Sequence, residues 1–218
     1  MKISKFIHSC ILLKEGNEQL LIDPGNYTFL EGLVKPDDFT GIKTILITHN
    51  HADHYDLAAI AAILAKNPEA KIYANSEMAR VLTEADLSAG VLESGKMVRG
   101  NFEIEAFETP HEQVLSPAPA NTAFIINGKF MHIGDSLSSR IFEHEVQVIA
   151  LPVAAPWMTD VMAFDFSKHV RPERFIPVHD GYLKEFFNAR KYGIWEKAFG
   201  EQGIKFDPLS KPGEFIEI

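Results

Sequence analysis

The first third of the chain alternates short apolar runs with turn residues, a pattern of strands rather than long helices. Ile3 to Ile7, Ile11 to Lys14 and Gln19 to Ile22 are rich in β-branched or apolar residues, and Gly16-Asn17 supplies a turn between the last two. From Asp23 to Gly41 the alternation dissolves among Pro24, Gly25, Pro36 and acidic residues, predicting a loop with a short helical piece around Phe29 to Val34. Ile42 to Ile47 predicts a compact apolar strand. It gives way abruptly to a polar, histidine-rich segment, Thr48 to His54.

Farther on, Leu57 to Ala65 predicts a helix that Pro68 stops, followed by a strand over Lys71 to Ala74 and a helix over Ser76 to Leu82. Phe102 to Phe107 alternates as a strand. Ala123 to Ile126 and Phe130 to Ile133 flank Asn127-Gly128, a hairpin signal. Val146 to Leu151 and Arg174 to Pro177 predict strands; Thr159 to His169 and Leu183 to Phe199 predict helices. No repeat or low-complexity tract interrupts the series, and 218 residues with 46% hydrophobic content suit one domain spanning 1–218. Many short strands flanked by helices predict helices covering paired sheets.

A formal net charge of -9 disfavours non-specific binding to nucleic acid or to an anionic membrane, though a local basic patch can persist on an acidic protein. Cys10 is the single cysteine, so no intrachain disulfide forms and a reducing compartment is the simpler expectation. Met1 to His8 lacks the apolar stretch of a secretory signal, and no segment reaches transmembrane length. A cytoplasmic location without a membrane partner is therefore expected.

The chemistry concentrates in Thr48-His49-Asn50-His51-Ala52-Asp53-His54. On an extended segment, residues two apart point to the same side, so His49 and His51 can address one metal while Asp53 and His54 turn towards a neighbour. Imidazole nitrogen and carboxylate oxygen together suit Zn2+, and also Mn2+ or Fe2+. Three histidines and an aspartate ending an apolar strand are poor core design without a ligand, whereas coordination offsets the cost of burying them.

This segment resembles the His-x-His-x-Asp-His signature of the metallo-β-lactamase superfamily. The similarity continues through Asp23, His111, Asp135 and His179, in the superfamily's order. It implies an α+β fold, a four-layer αββα sandwich with two facing mixed β-sheets. It further implies two divalent metal ions, the first held by His49, His51 and His111 and the second by Asp53, His54 and His179, with Asp135 bridging both. His8-Ser9-Cys10 and Leu21-Ile22-Asp23-Pro24 resemble compact metal-dependent hydrolases related to a lactonase of ascorbate metabolism. His51 stands where the redox di-iron branch carries a glutamate.

The resemblance implies a metal-activated water acting on a small ester, lactone or related small-molecule substrate, with Asp53 also orienting the nucleophile and shuttling a proton. Phosphodiester or nucleotide hydrolysis, and a non-catalytic metal-binding regulatory role, stay open as alternatives. Asp23 is expected beside the site, orienting a ligand histidine. His8 is expected to line the cavity or sit at a strand edge, since the other residues already complete two sites. His132 near Asp135, Trp157 as a pocket wall, and Asp180 and Tyr182 as substrate contacts each compete with ordinary structural roles. Ser9 and Cys10 lack the surroundings of a nucleophile. The helix after Leu183 offers a face for a homo-oligomer, although burial against the core explains its pattern more simply.

Overall fold

Both faces of the central strands are apolar, so each must be covered on two sides. In Ile11–Glu15 (β2), Ile11 and Leu13 point one way and Leu12 the other; in Glu18–Ile22 (β3), Leu20 and Ile22 oppose Leu21. The computed structural model, which describes residues 1–218, satisfies this demand with four layers.

The first sheet contains β2 and β3 with Lys2–Lys5 (β1), Ile42–Ile47 (β4), Lys71–Ala74 (β5) and Ala89–Val91 (β6), and closes with Glu214–Glu217 (β14). Its order is β14-β1-β2-β3-β4-β5-β6. The β14-β1-β2-β3 pairings are antiparallel, and those from β3 to β6 are parallel. The second sheet contains Gly95–Arg99 (β7), Phe102–Pro110 (β8), Ala120–Ile126 (β9), Phe130–His132 (β10), Val148–Pro152 (β11), Arg174–Val178 (β12) and Lys205–Phe206 (β13), in the order β13-β12-β11-β10-β9-β8-β7. It is antiparallel from β7 to β10 and parallel from β10 to β13. Both sheets are mixed, as the family resemblance implies.

Between the sheets, Ile3, Ile11, Leu13, Leu20 and Leu46 pack with Ile104, Phe124, Phe130, Val148 and Ile176. The outer face of the first sheet is covered by Leu57–Lys66 (α2) and Ser76–Glu84 (α3) through Ile60, Ile63, Met78 and Leu82. The outer face of the second is covered by Asp160–Ser167 (α4) and Glu185–Gly200 (α5) through Ala163, Phe166, Tyr192, Trp195 and Phe199. Side-chain caps fix where α2 and α3 start. Asp56 accepts from the Ala59 amide at 3.0 Å and Asn75 from the Met78 amide at 2.9 Å. No helix is long and apolar enough to cross a membrane.

The differences from the sequence pattern are local. The helical piece in the 23–41 loop falls at Asn26–Phe29 (α1), with a 3-10 turn at Pro36–Asp38, and not at Phe29 to Val34. Gly25 precedes the helix in extended conformation, and the Asn26 amide bonds the Ala52 carbonyl at 2.9 Å, so the turn starts where the chain docks on the histidine segment. The strand from Phe102 runs past Phe107 to Pro110, and β9 begins at Ala120, ahead of the expected Ala123. β6, β7, β13 and β14 carry no strong apolar signal and exist through their pairing with neighbours.

Candidate metal centre

The candidate ligands stand where strands end. Asp23 directly follows β3, His111 directly follows β8, and His179 directly follows β12; His49 comes two residues after β4 and Asp135 three after β10. A strand end releases the backbone from the ladder while its packed body holds the position rigid. Asp23 and His179 use that freedom fully, with left-handed φ values of 49° and 64°.

Two groups of ligand atoms result. His49, His51, His111 and Asp135 form one; Asp53, His54 and His179 form the other, together with His8. All the predicted ligand residues are thus brought together, and His8, expected to line the cavity or sit at a strand edge, joins them. Within the first group His49 Nε2 and His51 Nδ1 are 3.2 Å apart, and His111 Nε2 is 3.6 Å from Asp135 Oδ2. Within the second, His179 Nε2 is 3.2 Å from Asp53 Oδ2. Asp135 lies between the groups, with Oδ1 3.3 Å from His54 Nε2 and Oδ2 3.2 Å from His179 Nε2. Two donors about 2.0–2.1 Å from one tetrahedral ion lie roughly 3.3 Å apart, so these spacings fit shared ions.

The hydrogen bonds behind the rings tell the same story. His54 Nδ1–H donates to Asp23 Oδ2 at 2.7 Å, His111 Nδ1–H to the Glu112 carbonyl at 2.6 Å, and His179 Nδ1–H to the Ala154 carbonyl at 2.5 Å. The Thr48 hydroxyl donates to Asp23 Oδ2 at 2.7 Å and so accepts from His49 Nδ1–H at 3.0 Å. Each ring thus has its Nδ1 proton committed, so Nε2 is the nitrogen whose lone pair, once it is deprotonated, can meet a metal. Nε2 of His54, His111 and His179 and Oδ1 of Asp135 are buried without a hydrogen-bond partner. Buried polar atoms are ordinarily paired, so four such orphans pointing together fit divalent cations.

Electrostatics without metal are severe. Burial works against ionising Asp135, yet His179 and His54 hold it well below the usual carboxylate range. Burial likewise disfavours the imidazolium of His179, but Asp135 and Asp53 raise it to about 9; His54 is raised in the same way by Asp135 and Asp23. His49, dominated by burial and by its histidine neighbours, is lowered. His8 is lowered to about 4 by burial and by His179.

The remaining candidates separate clearly. Asp23, fully buried, also accepts from the Thr48 amide at 2.8 Å, and so orients His54 as expected. His132 is buried and structural: it donates from Nε2 to the Ser9 carbonyl at 3.1 Å and accepts at Nδ1 from the Gly134 amide at 3.2 Å. Asp180 is a buried tie, paired with Lys5 Nζ at 2.8 Å and bonded by the Tyr192 hydroxyl. Ser9 and Cys10 are buried, and burial pushes the Cys10 thiol up, away from the thiolate a nucleophile needs. Tyr182 and Trp157 approach His179, with ring centroids at 5.9 and 6.5 Å. Tyr27, which the sequence pattern did not single out, lies 5.0 Å from the His8 ring and 6.0 Å from Tyr182. Asn121 was equally hidden: it accepts from the Asp135 amide at 3.2 Å and donates to the Ile133 carbonyl at 3.1 Å.

Two mixed sheets packed between helices, with paired His/Asp clusters at the ends of their strands, define the metallo-β-lactamase fold class. The beta-lactamase superfamily domain matches residues 2–179, and the chain belongs to that family. It is similar to Protein Rv0786c of Mycobacterium tuberculosis, 32% identical over 88% of this chain and 90% of that protein. It is also similar to a metal-dependent hydrolase of Aeropyrum pernix, 28% identical over 97% of this chain and 95% of that one. Among solved structures it shares the fold of Igni18, a metallo hydrolase from Ignicoccus hospitalis, with a TM-score of 0.74 at 21% identity over 99% of this chain and 97% of that one.

Proposed function

We propose that residues 1–218 form one catalytic unit, a binuclear metal-dependent hydrolase acting on a small neutral ester, lactone or related carbonyl compound. The observation that carries the metal reading is the convergence of unpartnered Nε2 atoms of His54, His111 and His179 around Asp135. In this reading His49, His51 and His111 hold one ion, Asp53, His54 and His179 hold the other, and Asp135 reaches both. Imidazole nitrogen with carboxylate oxygen suits zinc, and hydrolysis needs no redox change; manganese or iron is compatible. The description of the Aeropyrum pernix relative as a metal-dependent hydrolase supports the activity class. Bound divalent cations supply Lewis acidity, acidifying water and polarising a substrate oxygen.

The chain's own residues supply orientation. Asp53 is the partly exposed carboxylate of the centre, with its side chain 22% accessible, so it can touch both a water and the substrate. Burial works to raise its pKa, but His179 and His8 hold it ionised, as an acceptor that can orient a water. Tyr27, Tyr182 and Trp157 flank the second group with aromatic surface that a substrate can pack against.

Neutral substrates are favoured by the charge around the centre. Every ion-pair partner of Asp23, Asp53 and Asp135 is a histidine of the same cluster or its backing. Lys5 is held by Asp180, and Arg140 bonds the Glu108 carbonyl at 3.1 Å. Neither of these two cations is free to meet a phosphodiester. The test is to determine metal per chain after loading with zinc, manganese or iron, then compare neutral aryl esters and lactones with bis(4-nitrophenyl) phosphate. Two ions per chain with higher kcat/KM on the esters or lactones supports the proposal. A preference for the phosphodiester, or no turnover by the fully loaded protein, overturns it.

A further inference from the structure

Distance alone makes His8 a ligand of the second group: its Nε2 lies 3.0 Å from Asp53 Oδ2, among His54 and His179. Its other nitrogen says otherwise. The Gly181 amide donates to His8 Nδ1 at 3.1 Å, so that nitrogen carries a lone pair and no proton. A neutral imidazole then holds its proton on Nε2, which points at Asp53 and has no lone pair to offer a metal. We infer that His8 is a positioning residue, donating from Nε2–H to Asp53 and held out of the coordination sphere by the Gly181 amide; this rests on the metal-centre reading above.

The contrast with the other histidines sharpens the assignment. His49, His54, His111 and His179 each have an acceptor at Nδ1, namely the Thr48 hydroxyl, Asp23, the Glu112 carbonyl and the Ala154 carbonyl. His132 and His8 alone have a backbone amide donating to Nδ1, and His132 lies in neither metal group. What faces Nδ1 therefore sorts the rings into those that present a lone pair at Nε2 and those that present a proton.

The lock is built into the backbone. His8 sits at φ 63°, its amide bonds Asp180 Oδ1 at 3.2 Å, and its carbonyl accepts from the His179 amide at 3.2 Å. Gly181 is the residue that lets the chain close on the ring. A Cβ there would stand 2.9 Å from His8 Cβ and 3.0 Å from Ile7 Cγ2. The same turn thus delivers His179 to the centre and sets the proton on His8. Asp53 Oδ2 receives that proton from one side and faces His179 Nε2 from the other.

The experiment is two-bond 1H–15N correlation NMR on the protein with 15N-labelled histidines, before and after zinc loading, with His8→Gln identifying the His8 signals. His8 in the Nε2–H tautomer in both states, while other rings acquire zinc-bound nitrogens, supports the inference. A zinc-bound Nε2, or an Nδ1–H tautomer, on His8 overturns it. If zinc changes no histidine signal, the metal reading fails while the His8 tautomer still decides the inference. Metal counting is the second arm. His8→Ala should keep two ions per chain but lose about ten- to a hundredfold in second-ion affinity, and His8→Gln, whose amide also donates, should recover most of it. Loss of one full metal equivalent in both variants overturns the inference.

Discussion

Asp23 Oδ2 lies 2.7 Å from His54 Nδ1, so a fully buried carboxylate at the end of β3 sets the direction of the last ring in the histidine run. The same carboxylate takes the Thr48 amide and hydroxyl, and Thr48 in turn backs His49. One side chain therefore supports a residue of each metal group.

Replacing Asp23 with asparagine removes one acceptor face from that junction. Asp23→Asn should weaken metal binding about ten- to a hundredfold, since orienting partners of ligand histidines typically contribute that much. Competition with a chromophoric chelator measures it; an unchanged affinity would show that His54 needs no anchor.

His51 is half-buried, with His49 its hydrogen-bonding neighbour, so its loss should touch the centre and spare the core. His51→Ala is expected to lower occupancy of the first ion and hydrolysis together. The chelator-treated protein should lose no more than about 0.5 kcal/mol of stability. Full occupancy with unchanged turnover would remove His51 from the ligand set.

Asp135 meets His111 of one group and His54 and His179 of the other. Asp135→Ala should therefore lower the affinity for both ions, which a two-site titration calorimetry experiment resolves. Weakening of a single site would refute the bridge.

Acid–base behaviour should differ between stripped and loaded protein. His179 is raised from 6.5 to about 9 by Asp135 and Asp53 against the effect of burial. Its imidazolium stabilises the metal-free fold fully below pH 6.5, and that contribution is lost as pH rises through about 9. The melting temperature of chelator-treated protein should fall between pH 7 and 9.5 relative to zinc-loaded protein. Zinc loading at pH 7 should release about two protons, from His54 and His179, measurable in buffers of different ionisation enthalpy. Proton-neutral loading would contradict these shifts.

Gly25 carries a steric constraint on the same site. A Cβ at this position would stand 1.8 Å from the Asp53 carbonyl oxygen, so backbone must move to admit one. Gly25→Ala should cost about 1–3 kcal/mol and weaken the second ion, because Asp53 and His54 follow the displaced loop. Thermal melts with and without zinc separate the two effects.

The apolar alternation of β2 to β4 and the Asn127-Gly128 turn could be read locally, because strand faces and hairpins depend on neighbouring residues. The His49 to His54 run was legible for the same reason: its ligands lie within a few residues of one another. His111, Asp135 and His179 gained meaning only through their order along the chain. What stayed hidden depends on contacts across long separations. His8 acquires its role from Gly181, Asn121 from Asp135, and Tyr27 from Tyr182, pairings that no local pattern encodes. The strands at Ala89–Val91 and Gly95–Arg99 were missed because partners, more than their own composition, make them strands.

The clusters draw on both sheets: His49 to His54 leave β4, whereas His111, Asp135 and His179 leave β8, β10 and β12. During synthesis, the first half of the chain emerges with an incomplete set of donors. The first group is complete along the chain at Asp135, whereas the second waits for His179, which leaves β12. Filling of the second group would therefore report a chain finished through β12, and a chain stopped short of that strand would hold Asp53 and His54 without their His179 partner.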